Sequence, residues 1–340
     1  VTKNDRKKTQ RAPKQRQKDT KRQEETVVPK AALGGFTLFV RAVRAQFLPL
    51  SVLAVLIGGT LPFWLRPDGW SFSPWLLVEA VIGVLFLGMG ANLGNGYYDY
   101  LSGADVDNPA SGTHSGGSGL ITEGLLPASF FLRWSMIFLA LGALVGLHLS
   151  LVVGGWFVPV IGLVGLFLAH FYTAPPIRLA YRGLGELTVA LAFGVLPVAG
   201  SYYLQTGAVS WRVLLASLPI TFAVVLVLWV NELVDIEPDR RAGKMNLAVR
   251  MGHRAAGRAG VLTLSVLVFA SLFAAVFTAS LIPLTLVAVL AFGLIRTVVV
   301  DCWKYHGQPR NLREAQSSAI RLHLTLGVII AGSALAAVGS

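Results

Sequence analysis

Long, nearly uninterrupted apolar runs alternate with short polar connections along most of this chain. They have no period-2 alternation, so they read as membrane-spanning helices rather than strands of a β-barrel. A helix needs about 20 apolar residues to cross the hydrocarbon core. By that measure the chain holds about nine spans, near 46–66, 75–100, 129–150, 153–172, 184–204, 212–235, 257–278, 280–300 and 319–339. The expected fold is an all-α integral membrane protein with its helices around a central cavity.

Composition agrees. Of 340 residues, 54% are hydrophobic and 14% charged, against roughly a quarter charged in a soluble protein. The mean hydropathy is +0.64. The single cysteine, Cys302, excludes an intramolecular disulfide and any Cys-based metal cluster. Residues 1–35 form a basic segment apart from the membrane domain at 36–340. Positions 1–30 carry far more Lys and Arg than Asp and Glu and hold no apolar core, so they do not read as a signal peptide. Such an arm suits anionic lipid at the cytoplasmic face better than nucleic acid.

Loop charge sets the expected orientation. Arg178, Arg182, Arg240, Arg241, Lys244, Arg250, Arg254, Lys304, Arg310 and Arg313 follow the fourth, sixth and eighth spans. The positive-inside rule puts those loops and the N-terminus in the cytoplasm, with the protein in the cell membrane.

Two polar stretches at the ends of apolar runs then fall on the same face. The first is Asn92-Leu-Gly-Asn95-Gly-Tyr-Tyr-Asp99-Tyr-Leu-Ser-Gly-Ala-Asp105. The second is Asn231-Glu232-Leu-Val-Asp235-Ile-Glu237-Pro-Asp239, so the Asn95/Asp99 pair recurs later as Asn231/Asp235. Residues four apart share a helix face. Acids at a helix C-terminus are disfavoured by the macrodipole and costly at a membrane, and bound cations compensate for both. Asp99, Asp105, Asp235 and Asp239, with Asn95 and Asn231, are therefore candidate ligands for Mg2+, and through it for a diphosphate. Nearby Arg178, Arg240 and Lys244 are candidate phosphate contacts. Asn92 and Glu232 are weaker candidates. The Gly-rich loop at 102–128 offers backbone amides to a phosphate, and the chain has no Walker motif.

A polyprenyl diphosphate matches such a site, its head at the cations and its tail in the bundle or bilayer. Metal would help the diphosphate leave, and a dry cavity would protect the allylic cation. Tyr97, Tyr98, Phe171, Tyr172 and Trp229 are candidate cation-stabilising rings. A cation-coupled transporter is the competing class. Against it, the acids cluster at one face rather than at the midplane.

These motifs, with Tyr172-Thr-Ala-Pro-Pro176-Ile-Arg178-Leu-Ala-Tyr181-Arg-Gly-Leu-Gly185-Glu186 and Asp239-Arg240-Arg-Ala-Gly-Lys244, resemble the UbiA superfamily of intramembrane aromatic prenyltransferases over about 36–339. The resemblance implies nine helices, two Mg2+ ions and an isoprenyl diphosphate donor. Asp99, Asp235 and Asp239 would help to hold metal, Asn95 and Asn231 would assist, and Arg178 and Lys244 would clamp the diphosphate, with Tyr172 beside them. Within the superfamily the motifs look most like 1,4-dihydroxy-2-naphthoate prenyltransferases of menaquinone synthesis. Alternative acceptors are 4-hydroxybenzoate, homogentisate, a tetrapyrrole or a glycerol phosphate. Gly96 stands where related sequences often carry an acid, which implies one carboxylate fewer in the first motif. His114 is a candidate proton handler on the acceptor side or a candidate phosphate contact. No obligate protein partner is expected, since one chain carries both motifs.

Overall fold

The structure, a computed structural model, describes residues 34–106, 108, 117–279 and 284–336. The basic arm and His114 lie outside the described residues. The chain divides into Val1–Phe39 and Val40–Ser340, and the membrane helices all belong to the second unit.

Among the described residues there are helices and no strand. Seven helices are long and apolar enough to cross a membrane. These are α1 (Ala45–Leu65), α2 (Pro74–Ser102), α3 (Ala128–Val153), α5 (Gly185–Thr206), α6 (Trp211–Arg241), α7 (Leu247–Ala274) and α9 (Pro309–Ala336). Two more helices stand where the sequence predicts spans: α4 (Phe157–Phe171), of 15 residues, and α8 (Leu284–Tyr305), of 22. The expected count of nine thus rests on seven that meet the length and apolarity criterion among the described residues.

The main boundary difference concerns α6. The hydropathy signal fades near residue 235, yet the helix runs on through Pro238 to Arg241. It keeps Asp235 and Asp239 on one face, as their spacing requires.

Local sequence explains where α2 stops. Its N-terminus is capped by the Ser73 hydroxyl, which accepts from the Leu76 amide, with Pro74 at the first helical position. At its C-terminus stands Gly103 with φ 85, a left-handed cap that favours glycine. The helix is therefore about 43 Å long, longer than a hydrocarbon core of about 30 Å. Its acidic end accordingly reaches the interface.

Helices associate in lipid through close packing more than through hydrophobic exclusion, so small residues mark the contacts. A Cβ at Gly58 of α1 would stand 2.2 Å from the Val198 carbonyl oxygen of α5. Ser135 of α3 donates to the Gly90 carbonyl of α2 at 2.7 Å. α6 is the central helix, flanked by α7, α9 and α5. A π-helical turn at Leu191–Val195 interrupts α5 and turns Ala192 and Phe193 toward the interior cavity.

Candidate active site

A cavity of about 210 Å³ lies between α1, α2, α4, α5 and α6. Its polar end carries Asp99, Asp105, Asp235, Asp239, Asn95, Asn231, Glu232 and Lys244, together with Arg44 and Asn108. Its other walls are apolar and include Phe47, Leu87, Val189, Phe193 and Val227. All the predicted metal ligands line this one space, although they come from two widely separated stretches of the chain.

Lys244 is the hub of the polar end. Its Nζ donates to Asp99 Oδ2 at 2.8 Å and lies 3.6 Å from Asp239 Oδ1. Burial alone would lower its affinity for a proton, but Asp239 and Asp99 outweigh that and hold its pKa well above the usual lysine range. The turn after α6 delivers this contact: the Lys244 amide donates to the Asp239 carbonyl at 2.8 Å, following Gly243 in the left-handed region.

Asn246 fixes the other side of Asp239. Its Oδ1 accepts from the Val249 amide at 2.8 Å and caps α7. Its Nδ2 is therefore the group that donates to Asp239 Oδ2 at 2.9 Å. Asp99 has a second partner in Tyr181, whose hydroxyl lies 2.9 Å from Oδ1 and 2.6 Å from Ser102 Oγ. Burial and the Asp99 charge both push the Tyr181 phenol above its ordinary range. Asn108 Nδ2 donates to Asp235 Oδ1 at 3.0 Å, and Gln316 Nε2 of α9 donates to Asn231 Oδ1 at 2.9 Å.

Asp105 completes the ring of acids. Its amide donates to the Asp99 carbonyl at 3.3 Å, across the Gly103 turn. Burial first, then the neighbouring Asp99, pushes its carboxyl up to about 7, against the lowering effect of Lys244 and Arg44. Gly117, also left-handed, lies against it: a Cβ there would stand 2.1 Å from Asp105 Oδ2. Arg41 donates to the Ser118 carbonyl at 2.8 Å and pairs with Glu123, which holds this part of the loop in place.

The predicted donor set fits a hard divalent cation: the four aspartates and the Asn95 and Asn231 amides all offer oxygen to the cavity. Asn95 Oδ1 is buried with no protein partner among the described residues. The Lys244 ammonium already stands as a cation between Asp99 and Asp239. No three His, Cys, Asp or Glu among the described residues converge closely enough to enclose one ion. The acids instead border the cavity, an arrangement suited to ions held partly by protein and partly by a phosphate ligand.

Other expectations fare differently. Arg178 adopts a left-handed backbone and lays its guanidinium 5.3 Å from the Tyr181 ring centroid, away from the cavity lining. Arg240 is exposed and turned to Glu237 at 2.9 Å. Of the five candidate rings only Tyr172 lines the cavity, while the Trp229 indole is buried and donates to the Ala256 carbonyl at 3.0 Å. Gly96 faces α3, where a Cβ would meet the Phe131 ring at 3.3 Å. An acid at that position would point away from the cavity, so its absence removes nothing from the ring of carboxylates.

Arg44, Phe47, Asn108, Phe193, Asn246 and Gln316 are the site residues that the sequence patterns did not single out. Arg44 reads as one more positive charge before a span. Asn246 carried a usable signal as a helix-capping Asn three residues before Val249.

A model of the UbiA prenyltransferase family matches residues 34–317. Over 209 residues the chain is 30% identical to the 1,4-dihydroxy-2-naphthoate octaprenyltransferase of Haemophilus influenzae, covering 62% of this chain and 67% of that one. A 2-carboxy-1,4-naphthoquinone phytyltransferase of Synechocystis is 28% identical over 308 residues, covering 90% and 95% of the two chains. A UbiA homolog from Archaeoglobus fulgidus, solved bound to GPP and Mg2+, superposes with a TM-score of 0.62 at 16% identity. The match covers 89% of this chain and 99% of that one, which is a likeness of fold.

Proposed function

The chain belongs to the UbiA prenyltransferase family, and from that premise we propose that it transfers a polyprenyl group from an isoprenyl diphosphate to 1,4-dihydroxy-2-naphthoate with Mg2+. The single observation that carries the reading is the cavity itself. One end is ringed by Asp99, Asp105, Asp235, Asp239 and Lys244, and the other walls are apolar. The relatives that act on naphthoate-type acceptors support this acceptor over the alternatives.

Asp99, Asp105, Asp235 and Asp239 would hold Mg2+, with Asn95 Oδ1 as a neutral oxygen ligand and Asn231 assisting. Bound Mg2+ withdraws charge from the leaving diphosphate and so favours cleavage of the allylic C–O bond. Lys244 and Arg44 neutralise phosphate oxygens at the same end. Lys244 stands between Asp99 and Asp239 and would give up part of that contact to meet a phosphate, and Mg2+ held by the acids would balance their charge. Tyr172, Phe47 and Phe193 present rings to the cavity where the allylic cation would form, and the apolar walls keep water from capturing it. The allyl carbon bonds to the acceptor ring carbon that bears the carboxylate. That group leaves as carbon dioxide, and its electron pair returns to the ring.

The test is incubation of the purified protein with Mg2+, geranylgeranyl diphosphate and a panel of aromatic acceptors, read by mass spectrometry. Prenylated, decarboxylated naphthoquinol is the expected product. Asp99→Ala and Asp235→Ala are expected to abolish diphosphate release while remaining folded in detergent. Undiminished turnover in both variants would refute the site.

A further inference from the structure

Residues 172–186 and 242–258, the stretches that lead into α5 and α7, hold six Lys and Arg against a single acid, Glu186. Half of these cations already have a role. Lys244 lies on the acids, Arg178 stacks on Tyr181, and Arg258 stands 5.2 Å from the Trp303 ring centroid. Arg182, Arg250 and Arg254 are exposed. Glu186 gives them no countercharge at the surface, since it is buried and accepts from the Leu247 amide at 2.8 Å. We propose that Arg182 and Arg250 form a site for the phosphate of an anionic membrane phospholipid, and that a lipid bound there steadies the turn carrying Lys244. Neither arginine lines the central cavity, so this site is separate from that of the reacting diphosphate.

Among the described residues, backbone carbonyls rather than carboxylates hold the two guanidinium groups. Arg250 Nε donates to the Met245 carbonyl at 2.8 Å, and its Nη2 donates to the Arg182 carbonyl at 3.1 Å. Arg182 Nη2 donates to the Pro176 carbonyl at 3.0 Å. Gly183, in the left-handed region, makes room for this arrangement: a Cβ there would stand 3.1 Å from Arg250 Nε. Each guanidinium keeps further N–H donors for a ligand, and the carbonyl contacts fix its orientation beforehand. Neutral partners also leave the positive charge uncancelled. Such exposed forks match the oxygens of a phosphate.

The surroundings select a lipid over a free anion. Leu184, Leu187, Met245, Leu247 and Met251, on the same two stretches, are 37–57% exposed. Leu187 lies in the first turn of α5, and Leu247 and Met251 stand one turn apart at the start of α7. These side chains therefore sit where the helices enter the bilayer. Cations beside exposed apolar side chains suit a head group with its acyl chains. Loop charge assigns this face to the cytoplasm, whose leaflet is the anionic one.

Backbone contacts tie this surface to the acids. Met245 separates Lys244 from Asn246, the two residues that contact the Asp239 carboxylate. Its carbonyl holds Arg250, and its amide donates to the Tyr181 carbonyl at 3.3 Å. Tyr181 in turn holds Asp99 through its hydroxyl. A lipid that engages Arg182 and Arg250 together binds best when this turn is closed, and so favours that state. Anionic lipid is therefore expected to stabilise the protein and to raise turnover.

The test follows thermal unfolding of the full chain in detergent with added phosphatidylglycerol, phosphatidylcholine or inorganic phosphate. Wild type is compared with Arg182→Gln and with the double variant Arg182→Gln/Arg250→Gln. Phosphatidylglycerol is expected to raise the wild-type Tm by about 3 °C more than phosphatidylcholine does, and the double variant is expected to lose most of that difference. Equal shifts from the two lipids overturn the proposal. An undiminished shift in both variants also overturns it and assigns the response to the basic arm at 1–35. Inorganic phosphate reproducing the shift overturns the choice of a lipid and leaves a site for free anions. Should the double variant fail to fold, Arg182→Gln decides, because its only side-chain contact is at an exposed carbonyl; it is expected to lose part of the difference, and an unchanged one overturns the proposal. In vesicles, adding phosphatidylglycerol to phosphatidylcholine is expected to raise wild-type prenyl transfer about fivefold. The double variant is expected to match the wild type in phosphatidylcholine alone and to gain little from phosphatidylglycerol; an equal gain overturns the coupling to the Lys244 turn. Thermal unfolding needs no substrate, so its outcome is separate from any failure of the prenyltransferase reading.

Discussion

Replacing Lys244 by methionine removes the one ammonium that bridges Asp99 and Asp239, at 2.8 and 3.6 Å. At an effective dielectric of about 20, these separations correspond to about 6 and about 5 kcal/mol of attraction. The lysine side chain is only 13% exposed, and its desolvation offsets several kcal/mol of that. Breaking the pair leaves buried carboxylates uncompensated, a loss of about 3–5 kcal/mol. The ligand-free variant is therefore expected to melt on the order of 10 °C below wild type. Cys302 supplies the assay, since it is the chain's only cysteine and is fully buried. A thiol-reactive fluorophore then reports unfolding in detergent. If divalent cations occupy the ring of acids, Mg2+ with inorganic diphosphate is expected to raise the variant's Tm more than the wild type's, because the metal takes over the missing positive charge. Prenyl transfer is expected to fall at least a hundredfold through loss of the phosphate contact, about 2.7 kcal/mol of transition-state stabilisation. A variant with unchanged Tm, unchanged response to Mg2+ and full turnover would refute the assignment of Lys244 as the hub.

Asp105, pushed up to about 7, is partly protonated at neutral pH, and metal binding is expected to expel that proton. Calorimetry of Mg2+ and diphosphate binding at neutral pH in buffers of different ionisation enthalpy should show net proton release that Asp105→Asn reduces. Because the folded-state pKa is raised, this group favours folding fully below its unfolded value of about 4. That contribution is lost as pH rises through about 7. The ligand-free wild type is therefore expected to lose stability across this window more steeply than Asp105→Asn. Gly96→Asp is expected to destabilise the protein by about 1–3 kcal/mol without strengthening Mg2+ binding, because its side chain meets Phe131; tighter Mg2+ binding would count against the packing described. Arg44→Ala is expected to raise the donor KM about tenfold with a smaller change in kcat, measured at saturating acceptor.

The apolar runs alone determine the membrane class and the approximate helix positions, because a span's length is imposed by the bilayer and not by its neighbours. The acids were equally legible. Asn95/Asp99 and Asn231/Asp235/Asp239 use the helical period, so their common facing follows from local geometry. What the sequence leaves open is contact between distant segments. Arg178, Arg240 and Lys244 look alike as cationic neighbours of acidic motifs, yet of these three only Lys244 lines the cavity. The turn at Gly243 carries it back onto Asp239, while Arg178 stacks on Tyr181. Gly96 reads as a missing ligand until packing puts Phe131 against it. Arg44 carries no local mark at all. It borders the acids only because helices far apart in the chain meet there. Which helices meet is decided by close packing over their whole surfaces.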